Sequence, residues 1–260
     1  MTGVQTCALP IYVLGLVPLH DIDLEPGPRE RGIAVHAALE KFLKTYPDTL
    51  PEDALSVLVA MGDETFREVG APSSLLALWR PRFARAARWF LADEHKRRAS
   101  RPRIVVESSG LLEFHDEFKL SGRADRIDIM PDGSAVIFDY KTGRAPTPAQ
   151  VASFKSPQLP LEAAMLLHGG IRGLNVSHVG SPIYLQLGGG EPAGRETAMD
   201  GNIDDLANRA RAELAAHIAA FNNPDVPYLS SLMPFLSTDE GDSDHLARLR
   251  EWRNASEAET

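Results

Sequence analysis

Pro131-Asp132-Gly133 stands between two runs of strand-forming residues, and no other stretch of the chain constrains the fold as tightly. Proline presets φ for a turn, aspartate bonds its own backbone, and glycine takes the positive φ that closes a hairpin. The flanking runs, Gly122 to Asp128 and Ala135 to Lys141, are rich in β-branched and aromatic residues. If residues 131–133 form the loop, residues whose numbers sum to 264 stand opposite one another, which sets Asp125 against Asp139. Side chains alternate along a strand, so Asp139 and Lys141 share a face. Directly opposed side chains have Cβ atoms about 4.5–5.5 Å apart. Two carboxylates held that close repel, and a bound divalent cation removes the repulsion.

The donor set points to a hard cation, Mg²⁺ or Mn²⁺, because carboxylate oxygens accompany it and no Cys or His cluster does. A neighbouring ammonium fits phosphate chemistry: the cation polarises a phosphoryl oxygen and acidifies a bound water, and Lys141 orients that water or meets the developing negative charge. Spacing leaves a second reading open, an exposed hairpin of scattered charges in which Arg126 and Asp128 pair on the opposite face.

Three other polar residues sit in suggestive places. His36 lies at the edge of an apolar helical stripe formed by Val35, Leu39, Phe42 and Leu43, with Glu40 one turn on. Such a histidine is more often a core-edge residue than a ligand. Gln158 follows Ser156-Pro157, which reads as an N-cap and first-turn proline for a helix ending near Gly169-Gly170. Glu107 is an acid inside a strand and reads as a structural charge before a site carboxylate.

The formal charge of −9 argues against a nucleic-acid partner only if charge is evenly spread, and it is not. Residues 79–103 carry nine Lys/Arg against Asp93 and Glu94, a net of +7 in 25 residues. Trp79, Phe83, Ala86, Ala87 and Phe90 recur at helical spacing and take the core side. Arginines including Arg85, Arg88, Arg97 and Arg98 are then left for an exposed face, either plainly solvated or contacting phosphates. No run of eighteen apolar residues exists, which excludes a membrane-spanning helix of the usual kind.

The ordered pattern GRADRID, VIFDYKTG and SPQLPLEAA, with ERGIAVHAALEKF upstream, resembles the RecB-like branch of the PD-(D/E)XK nucleases. It is most similar to the C-terminal nuclease domain of the B subunit of AddAB-type helicase–nucleases, which process DNA double-strand breaks. The resemblance implies an α/β restriction-endonuclease-like fold, with a mixed central sheet flanked by helices and a helical insertion at about residues 47–100. It implies that Asp125 and Asp139 are metal ligands, that the Tyr140 carbonyl completes the shell, and that Lys141 is the catalytic lysine. His36 becomes a further ligand or orienting group, and Gln158 matches the family's site glutamine. Glu162 stands where the family's pattern has tyrosine. The implied cofactor is Mg²⁺, with Mn²⁺ an alternative. The implied partners are a DNA single strand and an AddA-like subunit, in the cytoplasm.

Met1 to Ile11 reads as a translated sequencing adapter, so residues 12–260 are expected to be the C-terminal nuclease part of a longer protein. The chain's one cysteine, Cys7, belongs to that segment, which rules out the four-cysteine iron–sulfur cluster found in some relatives. Helices are expected at 32–46, 51–69, 73–99, in much of 149–168, and from Ile203 to Phe221. Strands are expected at 103–115, 118–130, 134–141 and 176–187, with a loop-like tail at 229–244 and a closing helix at 244–253. Two other functional classes remain open to the sequence: a non-catalytic DNA-binding or scaffold module, and a stand-alone RecB-like nuclease.

Overall fold

The computed structural model describes residues 25–115, 118–223 and 225–226. The expectations for residues 1–11, Cys7, the 229–244 tail and the closing helix fall outside them. The chain divides into a unit of residues 25–215, which carries the sheet, and a unit of residues 1–24 and 216–260. Of the latter, only the end of one helix and a few following residues are described.

Helix α1 (Pro28–Thr45) opens with proline at its first turn, and Glu30 reaches back to accept from the Gly27 N–H at 2.8 Å. Its stripe of Val35, Leu39, Phe42 and Leu43 is buried as the spacing predicts. α2 (Ala54–Glu68) and α3 (Ser73–Arg98) pack beside it, with Phe66 meeting Trp79 and Phe83 edge to face at centroid distances of 5.5 Å.

Three antiparallel strands follow: β1 (Arg103–Glu113), β2 (Lys119–Ile129) and β3 (Ser134–Lys141). The β2–β3 turn is the three-residue loop read from the sequence. Met130 N–H donates to Ser134 O at 2.8 Å, and Gly133 takes φ +82°. Every β2–β3 pair sums to 264, from Ile129↔Ala135 to Arg126↔Phe138. α4 (Pro148–Ala152) and α5 (Gln158–Leu167) then lead to β4 (His178–Val179) and β5 (Ile183–Gln186), both parallel to β3. β6 (Arg195–Ala198) runs antiparallel to β5, and α6 (Ile203–Phe221) follows. The sheet order is β1-β2-β3-β5-β6 with β4 also on β3. This is the expected mixed sheet flanked by helices.

Three details differ from expectation. The strand expected over 176–187 is split, because Pro182 has no N–H to continue a ladder. β6 was not anticipated, since Arg195-Glu-Thr-Ala is short, polar and half exposed. α5 starts at Gln158 with Pro157 at the cap position, and Ser156 does not cap it.

Each sheet face has its own core. Phe138, Tyr140, Leu185 and Leu187 pack under α1 and α3, whereas Ala135, Ile137, Ile127 and Tyr184 pack under α5. The antiparallel β2–β3 hairpin is therefore covered on both sides, and its strand β3 also pairs in parallel with β5, the kind of pairing that is buried on both faces.

Candidate active site

Alternation along β2 fails at one point, and that point is Asp125. Ala124 and Ile127, three apart, both belong to the core under α5, and Gly122 lies against Met165 of that helix. Strict alternation would send Ala124 and Ile127 to opposite faces. β1 makes the same switch, with Val105 and Leu112 on one side although their numbers differ in parity. The ladder passes from Val106↔Arg126 to Ser108↔Ala124 and skips the opposed pair Glu107 and Asp125. Glu107 takes φ +52°, a conformation that costs a non-glycine residue on the order of 1 kcal/mol. Strain of this kind, confined to one opposed pair in an otherwise regular sheet, marks a position held for something other than sheet stability.

Freed from the pleat, the Asp125 carboxylate replaces a ladder carbonyl. Its Oδ2 accepts the Tyr140 N–H at 2.8 Å, and its Oδ1 lies 3.3 Å from His36 Nδ1. The β2–β3 register continued by one step puts Asp125 opposite Asp139, so α1 delivers His36 to the carboxylate pair. The His36 ring also stands edge-on to Tyr140, 5.8 Å between centroids.

Asp139 is 2% exposed. Lys141 Nζ donates to its Oδ1 at 3.0 Å and lies 2.8 Å from its Oδ2 without a hydrogen-bonding angle. α5 supplies the next layer. Gln158 Nε2 donates to Asp139 Oδ1 at 2.6 Å and to Glu162 Oε1 at 3.1 Å, while its Oε1 accepts from Lys141 Nζ at 3.1 Å. Both amide hydrogens are thereby used, which fixes which end of Gln158 faces the lysine. Asp139 Oδ2 and Glu162 Oε2 are buried and make no hydrogen bond.

The electrostatics follow from burial among like charges. Burial raises Asp139 above the usual carboxylate range; Lys141 opposes this and Asp125 adds to it. Glu162 is pushed up to about 8, chiefly by burial, against the Gln158 hydrogen bond and reinforced by the charges of Asp139 and Asp125. For His36 burial works against the charged form. The hydrogen bond and charge of Asp125, the charge of Asp139 and a hydrogen bond to the Tyr140 backbone outweigh it, and the imidazole is raised. Glu107 is raised too, mainly by burial, with Arg123 opposing and Asp125 and Glu40 adding. Asp125, Asp139, His36, Lys141 and Gln158 are thus brought together as the sequence expectation required. Glu162 joins them, although the sequence marked it only as a departure from a pattern.

The other face of the same hairpin is different. Arg126 is fully buried and bidentate to Asp128 at 2.6 and 2.8 Å, and it reaches Glu94 of α3 at 2.6 Å. Its guanidinium lies over the Phe138 ring, 4.9 Å from the centroid. Arg126 and Asp128 do pair on that face, but beneath α3 and not in solvent. The same packing divides the basic stretch. Arg85 and Arg88 are exposed. Arg97 and Arg98 do not share that face: their side chains are 12% and 10% exposed, with Arg97 on Glu196 at 2.6 Å and Arg98 on Glu94 at 2.7 Å. A contact to β6 holds Arg97 inward, which helical spacing alone could not register, whereas Arg98 is held by Glu94 one turn back on α3 itself.

Residues 5–231 match the family model of the PD-(D/E)XK nuclease superfamily, and the chain belongs to it. Membership implies a metal-dependent nuclease, typically one using Mg²⁺ or Mn²⁺, and a nuclease binds nucleic acid. An uncharacterized protein of Rickettsia bellii is 29% identical over 171 residues, 65% of this chain and 20% of that protein. One of Rickettsia conorii is 29% identical over 170 residues, 63% of this chain and 20% of that protein. The chain thus spans about a fifth of the length of these curated relatives. A solved structure, the crystal structure of SSO0001, covers 84% of this chain and 83% of its own at 15% identity with a TM-score of 0.28.

The residues fit a hard cation in kind: opposed carboxylates, an imidazole, and a buried carboxylate oxygen without a hydrogen bond. Among the described residues no three His, Asp or Glu side chains converge on one ion position; Asp125 is paired with His36, and Asp139 with Lys141 and Gln158. No helix among the described residues is long and apolar enough to cross a membrane.

Proposed function

We propose that this chain is a Mg²⁺-dependent DNA exonuclease domain of the RecB-like branch, with Mn²⁺ an alternative ion. It would act on a single strand fed from a duplex end as part of an AddAB-type helicase–nuclease with an AddA-like partner, in the cytoplasm, during double-strand break repair. One observation carries the reading: Lys141 sits between Asp139 and Gln158 on a strand whose neighbour presents Asp125. That relatives are several times longer than the matched region supports a domain working inside a larger protein.

In this reading Asp125, Asp139, the Tyr140 carbonyl and His36 hold the ion. A bound Mg²⁺ supplies charge at the phosphoryl oxygen and a more acidic water. Asp125 is aimed by the Tyr140 N–H, which also ties its position to that of the neighbouring carbonyl. Lys141 Nζ can turn from Asp139 toward an attacking water or a phosphoryl oxygen, because an ammonium carries three donors on a flexible stem. Gln158 keeps Lys141 within reach of Asp139 by bonding both.

Purified protein is expected to degrade single-stranded DNA with Mg²⁺ and to lose that activity on chelation. Asp139→Ala and Lys141→Ala should abolish it. Undiminished cleavage by both variants would overturn the assignment. The AddB-like placement is tested separately, by whether the full-length protein copurifies with a helicase subunit and degrades duplex DNA only in its company.

A further inference from the structure

The strands β3 and β5 run parallel and end together, with Leu187 N–H bonded to Lys141 O at 2.7 Å. In open α/β sheets ligands collect beyond the carboxyl ends of such strands, and here three arginines from two helices arrive at that edge. Arg31, in the first turns of α1, donates from Nη2 to Thr142 O at 3.1 Å, one residue past Lys141. Arg85 donates from Nε to Gly189 O at 2.9 Å. Arg82 lies against the same loop: Gly189 takes φ +65°, and a Cβ there would fall 2.1 Å from Arg82 O. Gly189 is therefore needed both for its backbone angle and for the close approach of the loop to α3.

From this arrangement, and resting on the nuclease reading, we infer that Arg31, Arg82 and Arg85 form a rim that grips the phosphodiester backbone of the strand next to the cleaved bond. Each guanidinium has five N–H donors, and Arg31 and Arg85 each give one to a backbone carbonyl. That bond fixes their direction and leaves the rest of the fork for phosphate oxygens, the geometry in which arginine binds phosphate best. Among the described residues no carboxylate pairs with any of the three. Arg80, one turn earlier on α3, does have such a partner in Asp63 at 2.9 Å. Burial and the charge of Arg82 both lower Arg31 from its ordinary value. Arginines gathered at the exit of the lysine strand, with no carboxylate partner among the described residues, are the counterpart of the carboxylate pair. The carboxylates require a cation between them, and the arginines an anion. Arg88, further along α3, has no such anchoring to the loop.

The test is anisotropy of a labelled oligothymidylate with the full chain in EDTA, so that nothing is cleaved, across a salt titration. Arg82→Ala and Arg85→Ala should each weaken binding and each lower the slope of log affinity against log salt by about 0.7, the single-strand value per phosphate contact. Arg82→Glu should weaken binding further. Lys96→Ala, an exposed cation near the other end of α3, should bind like wild type. Among the described residues Arg82 makes no bond to another side chain, and circular dichroism checks that its variants keep the helical signal. If wild type binds and cleaves while Arg82→Ala and Arg85→Ala match it in affinity and slope, the rim is wrong and the nuclease reading stands. An equal loss in Lys96→Ala would also overturn the rim, since net charge alone would explain it. If wild type neither binds nor cleaves, both readings fall.

Discussion

The two faces of the β2–β3 hairpin hold charges in opposite ways. On the α3 side, Arg126, Asp128, Glu94 and Arg98 form a compensated set: two cations, two anions, and Arg126 bonded to both acids. Around Asp139 on the other side, Lys141 is the one lysine or arginine among the described contacts, burial keeps Glu162 protonated, Asp125 is turned to His36, and one oxygen each of Asp139 and Glu162 is buried without a hydrogen bond. A structural network neutralises itself because an unpaired buried charge is expensive. A site that handles an ion or a phosphate keeps groups that titrate and carboxylate oxygens left open, and that distinguishes the two faces better than burial does.

The largest expected effect separates activity from stability. Lys141→Ala should lower the cleavage rate by at least about 10²-fold, the scale for losing a group aimed at developing charge, with thermal unfolding near that of wild type. A variant that unfolds early would place Lys141 with the structural face instead. Arg126→Ala should do the reverse, costing about 3–5 kcal/mol in urea unfolding by stranding Asp128 without its partner and leaving Glu94 with Arg98 alone. If its stability were unchanged, the buried network would not be what secures α3 to the sheet.

Glu162 sharpens the contrast through pH. Its carboxyl, raised to about 8 from an ordinary 4.5, keeps in the folded state a proton that the unfolded chain releases. Its contribution is therefore whole below about pH 4.5 and declines as pH rises toward 8. In EDTA, Glu162→Gln should resemble wild type at pH 4.5 and melt progressively higher than it toward pH 8. Parallel melting curves across that range would contradict an acid held protonated by burial. The smallest effect falls to Arg97→Ala, which should cost about 1 kcal/mol through its pairing with the partly exposed Glu196. Single-strand affinity should stay unchanged at fixed salt, and a marked drop would return Arg97 to the binding surface.

Much of this was legible from the sequence because it is local. Turn chemistry at Pro131-Asp132-Gly133 fixed the loop, loop length fixed the sum of 264 as far as Arg126↔Phe138, and one step beyond that pair the sum sets Asp125 against Asp139. Helical spacing likewise separated the buried Trp79, Phe83 and Phe90 from exposed Arg85 and Arg88. The four-residue β6 escaped notice because a short polar strand is defined by its neighbour β5, not by its own pattern. Arg97 escaped because the partner that draws it inward lies on β6, whereas the Arg98 pair with Glu94 is a helical i,i+4 spacing that the sequence does contain.

The sequence by itself determined the register of the hairpin from its turn to Arg126↔Phe138, since a three-residue turn leaves one register. Only the tertiary structure decided what each face became. α3 brought Glu94 over Arg126 and closed one face, while α5 brought Gln158 and an acid that burial keeps protonated, Glu162, over Asp139. The switch at Glu107 and Asp125, which turns the carboxylate out of the pleat toward His36, depends on two strands and a helix packing at once. No single segment encodes it, because its strain is sustained by contacts far apart in the chain.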